Sequence, residues 1–272
     1  MAEPATADAA RSTAVIIPAR FASTRFPGKP LALLRGSGGI ERTLVEWTWR
    51  AARRAFADLP VHVATDDRRI AAEVERFGGQ ALLTSEECRN GTERCAEAAE
   101  QLGEAAELVV NLQGDALLTP PAILQALHRC IAADERIEVT TPAIRAEGAT
   151  LDHLLAEQRA GRVGGTTVVS SALGQALYFS KHLLPHGAER TGCPIYLHLG
   201  VYAYRRSALR RYVAAQPSAA ELAEGLEQLR FLDQGVPVTV VDCPAPDQLT
   251  AELNNPEDAA PIEAELTRLE LD

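Results

Sequence analysis

From Thr13 onward, short apolar runs alternate with stretches whose apolar positions recur at helical spacing. Thr13–Ile17 is a β-branched run that stops at Pro18, and Leu44–Phe56 carries helical periodicity. Val61–Thr65 predicts the next strand, with Asp66 or Asp67 placed to cap a helix over Arg69–Phe77. Gly78-Gly79 ends that helix, and Gln80–Leu83 is a short strand. Thr92–Leu102 predicts a helix closed by Gly103, and Leu108–Leu112 a buried strand broken by Gly114. Pro120-Pro121 opens a helix over Ala122–Ala133, and Glu138–Ala143 is again strand-like. Strand and helix in strict alternation predict an α/β fold, its sheet mostly parallel with helices on both faces.

Past about residue 145 the rhythm changes. Thr166–Ser170, Ala176–Phe179 and Leu197–Tyr204 predict strands of a mixed or antiparallel part. Helices are expected at Ser207–Ala214, Ala219–Leu232 and Pro256–Leu271, with a strand at Val238–Val241. In Ala219–Leu232 the buried stripe would be Leu222, Leu226 and Leu229. No Ser/Pro-rich linker divides the chain, so residues 1–12 read as a mobile tail and residues 13–272 as one domain. Residues 145–205 form an inserted subregion of that domain.

Composition narrows the function. The 272 residues are 46 % apolar and 24 % charged, which suits a packed core and excludes general disorder. A net charge of −10 argues against nucleic-acid binding, yet leaves room for a local cationic pocket. The hydropathy pattern offers no membrane span and no secretory leader. Five cysteines without a C-x-x-C pair read as reduced thiols of a cytoplasmic protein.

The richest chemistry lies in the loop that leaves the first strand, Pro18-Ala19-Arg20-Phe21-Ala22-Ser23-Thr24-Arg25-Phe26-Pro27-Gly28-Lys29. Open α/β sheets bind ligands beyond the carboxyl ends of their strands. Arg20, Arg25 and Lys29, with Gly28 allowing backbone approach, suit a triphosphate, although the loop is not a Walker A sequence. After the apolar strand Leu108–Leu112 comes Gln113-Gly114-Asp115, where a carboxylate can hold Mg²⁺ against phosphate oxygens. Strict alternation in Leu197–Tyr204 places His198 and Tyr202 on one face.

These segments together resemble the 3-deoxy-manno-octulosonate (Kdo) cytidylyltransferases, also called CMP-Kdo synthetases. The likeness starts in the loop from Arg20 to Leu31 and continues through Val63–Asp67, Gly91–Arg94 and Val110–Asp115. It reappears at Leu177–Lys181, His198–Tyr202 and Leu226–Arg230, in the family's order. The resemblance implies a Rossmann-like nucleotidyltransferase (GT-A-like) fold and a homodimer. It implies Mg²⁺-dependent transfer of CMP from CTP to a 2-keto-3-deoxy sugar acid, releasing pyrophosphate. It places Pro18, Ala19, Arg20, Ser23, Arg25, Lys29, Arg94 and Gln113 on the nucleotide. Gln113, Lys181, His198, Tyr202, Glu227 and Gln228 fall on the acceptor, and Asp115 and Asn254 on the metal.

Three positions depart from the family pattern. Ala116-Leu117 stands where the family has Glu-Pro. Asn254 replaces the first Asp of Asp-x-Pro-Glu-Asp, and Thr167 replaces the Lys of Val-Lys-Val-Val. Three readings stay open: a working CMP-Kdo synthetase with weaker metal binding, a cytidylyltransferase for another acidic acceptor, or a CTP-binding homologue with weakened catalysis. A CMP-sialic acid synthetase is a further relative, disfavoured by the Gly91–Arg94 and Leu226–Arg230 segments.

Overall fold

The computed structural model describes residues 12–22 and 26–272. The expected mobile tail therefore lies outside the described residues, apart from Ser12. The chain forms two compact units, one of residues up to Gln125 together with Pro246–Asp272, the other of Ala126–Ala245. The second includes the segment 145–205 that departs from the strand–helix rhythm.

In the first unit, strands β1 (Thr13–Ala19), β4 (Val61–Thr65), β5 (Gln80–Leu83) and β6 (Leu108–Asn111) form a parallel sheet in the order β5-β4-β1-β6. Every residue of β1 is buried, as expected of a central parallel strand covered on both faces. Helices α1 (Leu44–Ala55), α2 (Arg68–Arg76) and α3 (Gly91–Leu102) supply the crossovers. Each starts on a side chain that accepts a backbone N–H: Thr43, Asp67 and Asn90 respectively. A small hairpin, β2 (Leu33–Arg35) with β3 (Glu41–Thr43), was not evident from the sequence, because three-residue strands carry no readable period. Its Leu34 packs with Trp47, Leu253, Ile262 and Leu266, so the C-terminal helix Ala259–Arg268 is fastened to this unit by an apolar cluster. The terminal segment starts with a 3₁₀ turn at Pro256–Asp258 rather than as one helix from Pro256.

The second unit is mixed. Helix α4 (Pro121–Ala133) leads into it. Strand β7 (Val139–Arg145) carries β12 (Val238–Cys243) in parallel along one edge. Along its other edge run β10 (Tyr196–His198) and then β11 (Tyr202–Arg205), both antiparallel. The expected single strand Leu197–Tyr204 is thus two, broken at 199–201. The pairing sums differ by two residues, so the break inserts extra backbone while both halves stay on β7. Beyond β10 lie β8 (Thr166–Ser170) and β9 (Ala176–Ser180), again antiparallel.

Helix α5 (Gly148–Arg159) has a weak apolar stripe and only Leu154 buried, which is why the sequence pattern missed it. Two short helices follow in this unit, α6 (Ala188–Thr191) and α7 (Arg206–Ala214). The expected helix Ala219–Leu232 is interrupted: α8 is Ala219–Glu224 and α9 is Leu229–Asp233. Gly225 causes the break. It adopts φ +62°, a left-handed cap that returns its N–H to Glu221. Leu222 is consequently not part of a buried stripe but 71 % exposed.

Among the described residues no helix is long and apolar enough to cross a membrane.

Candidate active site

The first unit holds a cleft of about 320 Å³ at the carboxyl ends of β1 and β6. It gathers most of the residues the sequence assigns to nucleotide and metal: Pro18, Ala19, Arg20, Lys29, Arg94, Gln113, Asp115 and Asn254. Ser23 and Arg25 lie outside the described residues. The cleft adds Arg89, Asn90 and Gly91, which sequence reasoning did not assign. Arg89 stands two residues before Gly91, and a second arginine so close to Arg94 was the available signal. The Arg89 guanidinium is paired with Glu93 at 2.7 Å.

Two glycines let the walls approach. A Cβ on Gly114 would sit 2.6 Å from the Pro18 carbonyl, so any side chain there would force the two loops apart. The Gly114 carbonyl is in turn held by the Thr48 hydroxyl of α1 at 3.0 Å. Gly28 adopts φ +72° just ahead of the 3₁₀ turn Lys29–Leu31, and this turn brings Lys29 back over the cleft. There the Lys29 ammonium donates to the Asp115 carboxylate at 2.5 Å, both side chains about four-fifths buried.

Arg94 is not a surface arginine. It is 2 % exposed and donates to Asp66 at 2.9 Å, to the Thr84 hydroxyl at 2.5 Å and to the Ser85 carbonyl at 3.3 Å. Asp66 also accepts the Phe21 N–H at 3.4 Å. Arg94 therefore ties the carboxyl end of β4 to the start of the basic loop, while also lining the cleft. The Arg69 guanidinium lies 3.5 Å from the Phe21 ring centroid and pins the same corner.

Asn254 reaches the cleft on a turn built by Asp258, whose carboxylate accepts the Asn254 and Asn255 N–H groups at 2.9 and 2.7 Å. The neighbouring Leu253 N–H meets the Asp115 carbonyl at 3.4 Å. Asp115 and Asn254 thus offer one anionic and one neutral oxygen donor to the same space. That set suits Mg²⁺, which binds through one or two protein oxygens and completes its shell with phosphate and water. Among the described residues no cluster of three His, Cys, Asp or Glu side chains exists that could hold a metal without a substrate. Ala116 is buried, and no carboxylate replaces the one the family pattern has there.

The residues that the sequence assigns to the acceptor, other than Gln113, fall in the second unit. His198 and Tyr202 come together as expected despite the strand break, ring centroids 5.6 Å apart. His198 is 7 % exposed, and burial pushes its imidazole down to about 3, so it is neutral. Phe179 packs edge-on against it at 4.9 Å.

Glu227 and Gln228 sit in the turn between α8 and α9, not on a helix face. That turn is clamped from below: Arg230 makes a two-pronged bond to Glu221 at 2.6 and 2.7 Å, and stacks over Tyr212 at 4.0 Å. Gln228 is 2 % exposed, and its Nε2 has no partner among the described residues. Lys181 lines a cavity of about 520 Å³ together with Thr167, Tyr178 and Glu224. Thr167 is 1 % exposed, its hydroxyl donating to the His182 carbonyl at 2.7 Å and accepting the Leu184 N–H at 3.1 Å. It serves the backbone and does not replace a lysine charge.

Comparison with known proteins bears on this geometry directly. A family model described as cytidylyltransferase matches residues 14–239. A 3-deoxy-manno-octulosonate cytidylyltransferase of Maricaulis maris is 42 % identical over 253 residues, covering 93 % of this chain and 96 % of its own. The chain belongs to this cytidylyltransferase family. It is a nucleotidyltransferase by that membership. A second relative of the same name, from Myxococcus xanthus, is 41 % identical over 255 residues, 93 % of this chain and 95 % of that one. A solved CMP:2-keto-3-deoxy-manno-octonic acid synthetase complexed with CTP superposes with a TM-score of 0.81 at 30 % identity, over 96 % of this chain and all of that one. The α/β fold class expected from the sequence is that of the family.

Proposed function

We propose that the chain transfers CMP from CTP to Kdo with release of pyrophosphate, using Mg²⁺, as a cytoplasmic homodimer. The observation that carries this is the cleft of the first unit, which puts Arg20, Lys29, Arg94 and Asp115 in one place in a chain of net charge −10. Local cations inside an acidic protein select a small polyanion over a nucleic acid. In the reaction the anomeric hydroxyl oxygen of Kdo bonds to the α-phosphorus, the bond from that phosphorus to the bridging oxygen breaks, and pyrophosphate leaves. The hydroxyl proton passes to water.

Such transfers depend on positioning and on charge stabilisation more than on covalent chemistry by the protein. Arg20, Arg25 and Lys29 hold the β- and γ-phosphates and offset charge on the leaving pyrophosphate. Asp115 and Asn254 would hold Mg²⁺, which when bound neutralises phosphate charge. In the second unit His198, Tyr202, Glu227, Gln228 and Lys181 are assigned to the sugar acid, and the buried, unpartnered Nε2 of Gln228 supports that role. Five free thiols suit a reducing compartment.

Thr167 and Ala116 favour a second reading, in which the acceptor is another acidic sugar, because each removes a charge the family pattern supplies. One assay covers both: pyrophosphate release from CTP and Mg²⁺ with a panel of sugar acids, Kdo among them. Turnover with Kdo above the others supports the first reading. Turnover only with another acid establishes the second, and CTP binding with no turnover overturns both.

A further inference from the structure

The hydrogen bonds around Thr141 fix which nitrogen of His198 carries its proton. Thr141 lies buried in β7, and its hydroxyl is 2.9 Å from the Val201 carbonyl, 2.9 Å from His198 Nε2 and 3.5 Å from the Leu199 carbonyl. A threonine hydroxyl has one proton and two lone pairs. A carbonyl can only accept, so the proton goes to Val201, the nearer of the two carbonyls. Towards His198 the hydroxyl is then left to accept, and Nε2 must be the protonated nitrogen. The imidazole is neutral because it is buried, so Nδ1 is bare. Nδ1 has no hydrogen-bond partner among the described residues, and it is not sealed from solvent.

We infer that Thr141 is a positioning residue which locks His198 as the Nε2–H tautomer, so that Nδ1 presents a lone pair to the acceptor and selects a hydroxyl, not the carboxylate, of the sugar acid. A carboxylate facing Nδ1 would set two acceptors against each other and leave both without a donor. A sugar hydroxyl meets Nδ1 as a donor. The Val201 carbonyl that takes the Thr141 proton belongs to the 199–201 break between β10 and β11, so the same interruption that splits the strand sets the tautomer. The rigid aromatic surround keeps the ring from turning over: Phe179 lies edge-on at 4.9 Å and Tyr202 at 5.6 Å.

This inference rests on the acceptor reading given above only for the identity of the ligand; the tautomer itself is independent of it. The test has two parts. Long-range ¹H–¹⁵N spectra of the full chain labelled at histidine, at neutral pH and without substrate, should show a pyridine-like Nδ1 and a pyrrole-like Nε2 for His198. The His198→Gln variant assigns the signals. A pyrrole-like Nδ1 overturns the inference whatever the enzyme's substrate.

In the second part, Thr141→Val should redistribute the tautomers and raise KM for Kdo by about tenfold, with KM for CTP unchanged. Thr141→Ser, which keeps the hydroxyl, should restore both. An unchanged KM for Kdo in a folded Thr141→Val variant, or equal loss for CTP and Kdo, overturns the selective role. Should the wild type turn over another acid in place of Kdo, the KM comparison is made with that acid. The functional reading then fails while the tautomer result stands.

Discussion

The Lys29 ammonium sits 2.5 Å from the Asp115 carboxylate, joining a loop residue assigned to phosphate with a strand-end residue assigned to metal, 86 positions apart. The contact brings both side chains together in one cleft. It also means that Lys29 is held over the cleft before a nucleotide arrives, which lowers the ordering cost of binding. Lys29→Met should therefore weaken CTP binding about 10- to 100-fold, the range for losing one charge-assisted hydrogen bond, and lower thermal stability as well, since it leaves the largely buried Asp115 carboxylate without its partner. Calorimetric titration with CTP measures the first and a melting curve the second. Wild-type CTP affinity in the variant would remove Lys29 from the site.

Asn254 faces the same cleft as Asp115 but brings no charge. Hard-cation affinity rises with the number of charged oxygen donors. Asn254→Asp should lower the Mg²⁺ concentration for half-maximal pyrophosphate release by about tenfold, since Asp258 already shapes the turn through backbone N–H groups and the change leaves those bonds intact. An unchanged Mg²⁺ dependence would show that residue 254 is not a metal ligand.

The cleft of the first unit was legible as a cluster because its parts are local in the chain. Arg20, Gly28 and Lys29 share one loop, and Gln113-Gly114-Asp115 ends an obvious apolar strand. What the sequence could not show was pairing across distance. Arg94 and Asp66 are 28 residues apart, and nothing at either position announces that one buries the other. The parallel sheet was readable from its long β-branched runs, whereas the three-residue strands of the hairpin were not. The break at Gly225 defeated the period because Leu222, Leu226 and Leu229 keep helical spacing across a turn that only the glycine's positive φ reveals. The protonation of His198 depends on packing among three separate segments, around Thr141, Phe179 and His198–Tyr202, and no window of sequence contains them.

Arg230 and Glu221 form a buried ion pair, 1 % and 9 % exposed, beneath the turn that carries Glu227 and Gln228. Removing one member strands the other's charge, at a cost of about 3–5 kcal/mol, whereas removing both costs much less. Arg230→Met should be strongly destabilised in urea, and Arg230→Met with Glu221→Gln should recover most of the loss. Glutamine keeps the cap on the Ser218 N–H, so the recovery reports the charge and not the cap. Equal destabilisation of the single and double variants would show that the pair is a matter of packing alone.

His198 also sets a pH dependence of stability. Its ordinary value is 6.5, and burial depresses it to about 3 in the folded chain. Between those limits the unfolded chain takes up a proton that the folded chain refuses. Its contribution is thus complete above pH 6.5 and is lost as pH falls through the window, at up to about 1.4 kcal/mol per pH unit. His62 and His128 are lowered by burial as well and add slopes of the same sign, while Asp134, held down to about 2 by Arg136, contributes only at lower pH. A difference measurement isolates His198. Urea unfolding of the wild type and of His198→Gln between pH 5 and 6.5 should give a wild-type stability that falls more steeply with acidification, by about 1 kcal/mol per unit, although the variant is the weaker protein at pH 7. Parallel slopes would mean that the imidazole takes its proton in the folded state, and the neutral ring required for the Thr141 arrangement would go with them.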